Sequence, residues 1–255
     1  MKMGTTTLIL LTALIAIGAY FYLSKKQTDG QKKMILTFMG APGSGKGTIA
    51  EKAVTDLNFK TLSTGNLLRE AVASGSDLGK KAQGYMKSGQ LVPDELVMSL
   101  VENWLSKNLK NIDKLILDGY PRTANQAKLL LDLIQNKFKD VNLNVVEILI
   151  PDDIVVERLT SRLVCEKCQA PYSRKNITDI EAASCEKCDG KLIQREDDKE
   201  SVIRERLQVY ANNAGALRNI YKVASIPIIN IHVAGKEKEA IYNEFKQLLE
   251  EKNLI

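Results

Sequence analysis

Nine residues, Gly40 to Thr48 (GAPGSGKGT), constrain this chain more than any other stretch. They follow the apolar run Met34 to Met39 and precede a helical pattern that begins near Ile49. A glycine-rich strand-to-helix turn leaves backbone N–H groups free to surround an anion, and the helix N-terminus adds positive partial charge. Gly40, Gly45 and Lys46 fill the frame G-x-x-x-x-G-K; Gly43, Ser44, Gly45, Gly47 and Thr48 form the expected cradle, and Lys46 reaches the outer phosphates of a nucleotide such as ATP. In one respect the stretch is unusual. Gly47 stands where Ser or Thr usually binds the metal, and the hydroxyl comes one position later, at Thr48. A chance glycine-rich turn is the competing explanation, and the strand before and the helix after count against it.

Lys60 to Leu62, Lys114 to Asp118, Val145 to Ile150 and Ile226 to Val233 read as further apolar strands alternating with helices, so the sheet is expected to be parallel and covered on both faces. Helical patterns run over Ile49–Leu57, Leu67–Ser74 and Leu78–Lys87, and the spacing of Ile241, Phe245, Leu248 and Leu249 makes the C-terminal stretch an amphipathic helix. Glycines at 75, 79, 84 and 89 suggest a small, loosely packed, mobile segment. Asp118, at the carboxyl end of its strand, is a candidate partner for magnesium, or simply a turn former. At 255 residues and 44% hydrophobic the chain can bury one sizeable core with small insertions. A net charge of +5 suits anionic substrates as well as nucleic acid or a membrane surface; no nucleic-acid partner is expected.

Met3 to Leu23 carries no charged residue. As a helix these residues would span about 31 Å, against about 30 Å of bilayer hydrocarbon. Tyr20, Phe21 and Tyr22 sit where an aromatic belt would lie, and Lys25, Lys26, Lys32 and Lys33 follow, with Lys2 alone before. The positive-inside rule then predicts a cytoplasmic body tethered to the inner face of a membrane, with 1–33 as anchor and linker and 34–255 as the folded unit. A cleaved signal peptide and a start at Met34 are the alternatives.

All four cysteines fall in two C-x-x-C knuckles, Cys165/Cys168 and Cys185/Cys188, separated by sixteen residues. That spacing predicts a closed four-thiolate site for structural Zn2+. Iron or a disulfide pair would be the other uses.

Several motifs in order resemble adenylate kinases: GAPGSGKGT, STGNLLR at 63–69, GQLVPDE at 89–95, LDGYPRTANQA at 117–127 and RLTSRLVC at 158–165. The resemblance runs from Met34 nearly to the C-terminus. It implies a P-loop NTPase-type α/β fold, a five-stranded parallel sheet with helices on both faces. Two inserts are implied, a nucleoside monophosphate-binding segment at 63–92 and a zinc lid at 161–198. It also implies transfer of a phosphoryl group from Mg2+-ATP to AMP, giving two ADP, by a monomer. Arg69 and Arg122 match positions that fork onto the AMP phosphate, and Arg162, Arg195 and Arg206 match those that close over the transferring group. Guanidinium groups grip phosphate oxygens in pairs. Thr64, Gln90, Leu91, Val92, Gly119, Tyr120, Pro121 and Gln126 match further AMP-site positions. Arg158 resembles the residue that stacks on the ATP adenine, while Pro171, Tyr172 and, loosely, Lys236 match other ATP-contacting positions. Asp197 and Asp198 match an acidic pair where the lid returns to the core.

Thr64 and Gln126 favour AMP over UMP or CMP, because an amide can accept from the adenine amino group while donating to the adjacent ring nitrogen. A UMP/CMP-type kinase remains the nearest alternative. A non-catalytic, membrane-tethered nucleotide sensor is the more distant one, and would have no use for both arginine sets. Two departures stand out: Leu163 replaces an arginine often found in the family, and Ser173 a histidine.

Overall fold

The computed structural model describes residues 32–179 and 183–255. The anchor expectation, residues 3–23, and nearly all of the linker lie outside the described residues. Among the described residues no helix is long and apolar enough to cross a membrane.

Met34–Ile255 forms one compact unit built on a sheet of five strands. β1 (Lys33–Gly40) is central, and its residues 34–39 are all buried, as expected for a strand covered on both faces. It pairs in parallel with β3 (Lys114–Asp118), which pairs in parallel with β2 (Lys60–Ser63). On the other side lie β4 (Val141–Leu149) and β8 (Ile228–His232), parallel to each other, giving the order β2-β3-β1-β4-β8. Alternation sorts the side chains by face. Ile35, Met39, Leu115, Leu117 and Val145 pack under α4 (Asp94–Asn108), α5 (Ala124–Lys137) and α7 (Glu200–Val223). Leu36, Phe38, Ile116, Val146 and Ile148 face α1 (Lys46–Leu57) and α8 (Lys238–Glu251). As expected, Ile241, Phe245 and Leu249 are buried on α8, with Leu248 at the margin.

Several element boundaries differ from the sequence expectation, most clearly at α1 and β4. α1 begins at Lys46, directly after Gly45 at φ 103°, not near Ile49. Lys46 and Gly47 carry no apolar side chain, so hydrophobic periodicity cannot register that turn. β4 begins at Val141, four residues early, because Asn142 and Asn144 interrupt the apolar run.

α2 (Thr64–Ala73) and α3 (Asp77–Ser88) form the first small insert. Here the glycines do not share one meaning. A Cβ on Gly79 would lie 2.0 Å from the Ala71 carbonyl oxygen, so this glycine marks a tight helix contact, whereas Gly84 faces open space.

α6 (Asp152–Thr160) leads into the second insert. β5 (Arg162–Cys165) pairs antiparallel with β6 (Pro171–Ser173) and β7 (Leu192–Ile193). Among the described residues its private core is Leu163, Cys165, Ala170, Cys185 and Leu192 with a few half-buried neighbours, too little to hold a fold alone. Leu163 is 2% exposed within that cluster, which gives a physical reason for an apolar residue where the family often has arginine. Ser173 uses its hydroxyl to accept from the Lys175 N–H at 3.4 Å.

The chain returns through a short turn at Glu196–Asp198 to α7. That helix is pinned to the sheet by Glu147 of β4, 2% exposed. Its carboxylate accepts from Arg218 Nε at 2.9 Å and Nη2 at 2.7 Å, and from the Tyr210 hydroxyl at 3.1 Å.

Candidate active site

The carboxyl ends of the strands, both inserts and α7 surround a cleft of about 990 Å³. At its floor is the glycine-rich turn. Gly43, Gly45, Lys46, Gly47 and Thr48 line the cleft. Ser44 behaves differently: it is 1% exposed, its N–H donates to the Ala41 carbonyl at 3.1 Å, and its hydroxyl accepts from Lys46 Nζ at 3.2 Å. It therefore braces the loop from within, with its own N–H already used. Lys46 Nζ also donates to Gly40 O at 2.9 Å and Ala41 O at 2.7 Å. Loss of water around this ammonium lowers its pKa to about 8; Asp118 opposes the shift, and Arg122, Arg206 and Arg162 add to it. Asp118 lines the cleft beside the loop, and a Cβ on Gly47 would lie 3.9 Å from its Oδ2.

Above the loop the elements bring Arg69, Arg122, Arg158, Arg162, Arg195 and Arg206 to the cleft wall. Arg69, on α2, is turned inward by the fold. Burial lowers its pKa, with Arg162, Arg122 and Arg206 adding to the effect and Asp197 opposing it. Among the described residues its Nε is buried without a hydrogen-bond partner, although Nη2 donates to Asn66 Oδ1. Arg195 has the same unpaired, buried Nε, and burial followed by Arg69 and Arg162 lowers its pKa. Arg122 is open to the cleft but walled in by protein; that crowding, then Arg206, lowers its pKa, and its Nε donates to Gly119 O at 2.8 Å. Arg69, Arg122 and Arg195 nevertheless remain cationic at neutral pH.

Two of the arginines are held by acids. Asp198, fully buried, takes Arg162 in a two-point grip, Nε at 2.8 Å and Nη2 at 2.6 Å, and meets Arg206 Nη1 at 3.4 Å. Asp197 accepts from Arg206 Nη1 through its backbone carbonyl at 2.9 Å, and its carboxylate pairs with the same nitrogen at 2.9 Å. Burial alone would raise the Asp197 pKa, but Arg206, Arg162, Arg195 and Arg69 outweigh it and hold the carboxyl below its usual range.

Beside Gly119, Thr64 is 2% exposed and its hydroxyl donates to Gly119 O at 2.8 Å. Gln126 is equally buried: Oε1 accepts from the Arg122 N–H at 2.8 Å and Nε2 donates to Asp94 Oδ1 at 2.8 Å. Gln90, Leu91, Val92, Gly119 and Pro121 line the same side. Gln90 Nε2 donates to Glu205 Oε1, tying the first insert to α7. Asp94 was not singled out from the sequence; the available signal was an acid beginning a helix after Pro93, in the stretch GQLVPDE.

Two expected site residues are placed elsewhere. Tyr120 is fully buried in the core, its hydroxyl donating toward Met98 Sδ at 3.0 Å and Gln126 O at 3.2 Å, so it supports the Gly119–Arg122 turn from behind. Lys236 turns its ammonium to Glu244 and does not line the cleft, while Lys238 does. The Ala234–Lys236 stretch has no apolar or turn signal strong enough to set which lysine faces inward.

In the lid, Pro171 and Tyr172 line the cleft. Each knuckle ends in a left-handed residue at the same position, Gln169 at φ 60° and Asp189 at φ 53°, whose N–H donates back to the first cysteine's carbonyl at 3.0 and 2.8 Å. The four Sγ atoms lie within 4.8 Å of one another, with Cys165–Cys188 and Cys168–Cys185 at 3.5 Å. Disulfide bonding requires about 2.05 Å, while four ligands about 2.3 Å from one zinc ion sit about 3.8 Å apart, so the donor set fits a tetrahedral metal. The Tyr172 hydroxyl donates to Cys185 Sγ at 3.3 Å, and this bond is the main cause lowering the thiol pKa to about 6. Lys187, between the second pair, reaches Glu51 on α1 and so bridges lid and core.

A family model described as adenylate kinase matches residues 38–226. Among curated relatives, an adenylate kinase of Archaeoglobus fulgidus is 39% identical over 218 residues, covering 85% of this chain and 98% of that protein. One of Thermodesulfovibrio yellowstonii is 40% identical over 222 residues, covering 86% of this chain and all of that protein. One of Thermosipho africanus is 42% identical over 190 residues, covering 74% and 87%.

Proposed function

The chain belongs to the adenylate kinase family, and on that footing we propose how its residues divide the reaction ATP + AMP = 2 ADP. The observation that carries the assignment is the convergence of Lys46 with Arg69, Arg122, Arg162, Arg195 and Arg206 on one cleft, two of them with a buried Nε that lacks a partner. Unpaired guanidinium nitrogens are costly to bury and are satisfied when phosphate oxygens arrive.

Arg69 and Arg122 fork onto the AMP phosphate and aim one of its oxygens at the γ-phosphorus of ATP. A new P–O bond forms there as the bond from the γ-phosphorus to the β–γ bridging oxygen breaks, leaving ADP on each side. The acceptor oxygen is already ionised near neutral pH, so no general base is needed. Lys46 and the N–H groups of the α1 N-terminus hold the donor phosphates. Arg162, Arg195 and Arg206 neutralise charge on the migrating group, the first and last pre-aimed by Asp198 and Asp197, so little reorganisation is left for the transition state. Magnesium bound with ATP would be held near Asp118 and the Thr48 hydroxyl, and would supply charge neutralisation on the donor phosphates. Arg158, Pro171 and Tyr172 cover the ATP base, and Thr64 and Gln126 read the acceptor base as adenine.

Zinc is the metal that best fits the four thiols. With every ligand position filled it would stiffen the lid and take no part in transfer. The uncharged stretch 3–23 supports a membrane tether for a cytoplasmic body. Full-length protein should then stay with membranes through a high-salt wash, and its recovery in the soluble fraction would end that part of the proposal.

The test of the transfer assignment is Arg122→Ala. ADP formation from Mg-ATP and AMP should fall by about 10³-fold, the low end for removing an arginine that stabilises phosphoryl transfer, and unchanged turnover would refute the acceptor-side assignment.

A further inference from the structure

Gln126 is a symmetric-looking tool. Its amide offers an oxygen and an NH2 of nearly equal size, and rotation by half a turn exchanges an acceptor for a donor. One orientation matches adenine, which presents an amino donor beside a ring-nitrogen acceptor. The reverse matches a 6-oxopurine, which presents a carbonyl acceptor beside a ring N–H. Base choice between two rings of equal size therefore depends on what holds the amide one way round.

The structure holds it at both atoms. The Arg122 N–H points at Oε1 from 2.8 Å, and a carboxylate oxygen, Asp94 Oδ1, faces Nε2 from 2.8 Å. Reversal would set donor against donor at the first contact and acceptor against a full negative charge at the second. One lone pair on Oε1 and one N–H on Nε2 remain for a ligand. Asp94 is itself fixed: its other oxygen, Oδ2, accepts from the Thr123 hydroxyl at 2.8 Å and from Asn125 Nδ2 at 3.0 Å.

We infer that Asp94 is a specificity-determining positioning residue: its carboxylate locks the Gln126 amide so that the acceptor site takes 6-aminopurine and rejects 6-oxopurine monophosphates. The inference rests on Gln126 as the base reader. It also couples the two halves of acceptor recognition, since the same amide oxygen holds the peptide nitrogen of Arg122, whose guanidinium meets the phosphate.

Asp94→Asn is the informative substitution. Asn125 and Thr123 donate to one side of residue 94 and keep the remaining oxygen there. The new NH2 then falls where Oδ1 was and faces Gln126 Nε2, favouring the reversed amide against the single remaining hold of the Arg122 N–H. The experiment compares kcat/KM for AMP and for inosine monophosphate, with Mg-ATP, in the unsubstituted protein, Asp94→Asn, Gln126→Ala and the double variant. Asp94→Asn should lower the AMP-to-inosine-monophosphate ratio by about tenfold, as expected for turning one buried hydrogen bond from matched to mismatched, through a higher KM for AMP and a gain with inosine monophosphate. Adding Asp94→Asn to Gln126→Ala should change the ratio no further. A purely structural loss would depress both substrates together and leave the ratio alone. If Asp94→Asn folds poorly, Asp94→Ala removes the hold without adding a donor and should move the ratio the same way by less. An unchanged ratio in Asp94→Asn with a collapsed ratio in Gln126→Ala overturns the lock and keeps the reader. An unchanged ratio in Gln126→Ala overturns both.

Discussion

Raising the pH from 7 to 9 should weaken binding of Mg-ATP by about tenfold, through Lys46 alone. Burial holds this ammonium down to about 8 in the free protein, while Asp118 keeps it from falling further and Arg122, Arg206 and Arg162 push it lower. Phosphate oxygens bind the charged form and raise its pKa in the complex. Binding above pH 8 therefore begins by protonating the lysine. The penalty factor is 1 + 10^(pH − pKa), about 1.1 at pH 7 and about 11 at pH 9, or roughly 1.4 kcal/mol between them. Titration calorimetry in two buffers of different ionisation enthalpy should show uptake of about 0.9 proton per ATP at pH 9 and about 0.1 at pH 7. Lys46→Arg, which stays charged, should bind with a flat profile. Stability runs the opposite way. The unfolded lysine titrates near its ordinary value of 10.5, so between about 8 and 10.5 the unfolded chain holds more protons and the folded state gains as pH rises. An affinity constant to within about twofold from pH 7 to 9, with no proton uptake, would refute the assignment of a depressed, phosphate-facing Lys46.

Gly190→Ala should empty the lid's metal site, because a Cβ there would lie 2.6 Å from Cys165 Sγ. Zinc per chain, about one in the starting protein if its four thiolates hold a single ion, should fall well below one by atomic emission, and full occupancy would count against the four-thiolate arrangement. Asp198→Ala leaves Arg162 buried without its two-point partner, a change that costs about 3–5 kcal/mol. Thermal melting should drop by roughly 6–20 °C for a body of this size, and a shift of under 2 °C would show that Arg162 is solvated instead. Leu163→Arg restores the family's commoner charge but drives it into the lid core. Limited proteolysis should then cut faster within 162–198, and an unchanged pattern would mean that the lid has room for the guanidinium.

Much of the architecture was legible because its signals are local. The run 34–39 buries both faces of one strand, and glycines in the next turn permit backbone that other residues resist, so strand, cradle and helix follow from adjacent residues. The two knuckles are equally local, since each C-x-x-C closes its own turn and only their meeting needs the lid strands. Motif resemblance singled out the arginines that the fold brings to one cleft. Which of them are paired and which wait unpaired was beyond it, because that depends on contacts such as Arg162 with Asp198, thirty-six positions apart.

What the sequence determined by itself was therefore the parallel sheet, the glycine-rich turn and the thiol set. Tertiary structure alone decided orientation. It put Tyr120 behind the turn instead of in the site, sent Lys236 to Glu244 and left Lys238 facing in, and gave Leu163 an apolar neighbourhood. It also set Asp94 against Gln126, thirty-two positions away, where a single carboxylate fixes which way round an amide lies. The physical reason is one of range. Backbone preference and hydrophobic period act over a few residues, but a side chain's direction is settled by whichever partner the fold brings to it, and that partner is usually distant in the chain.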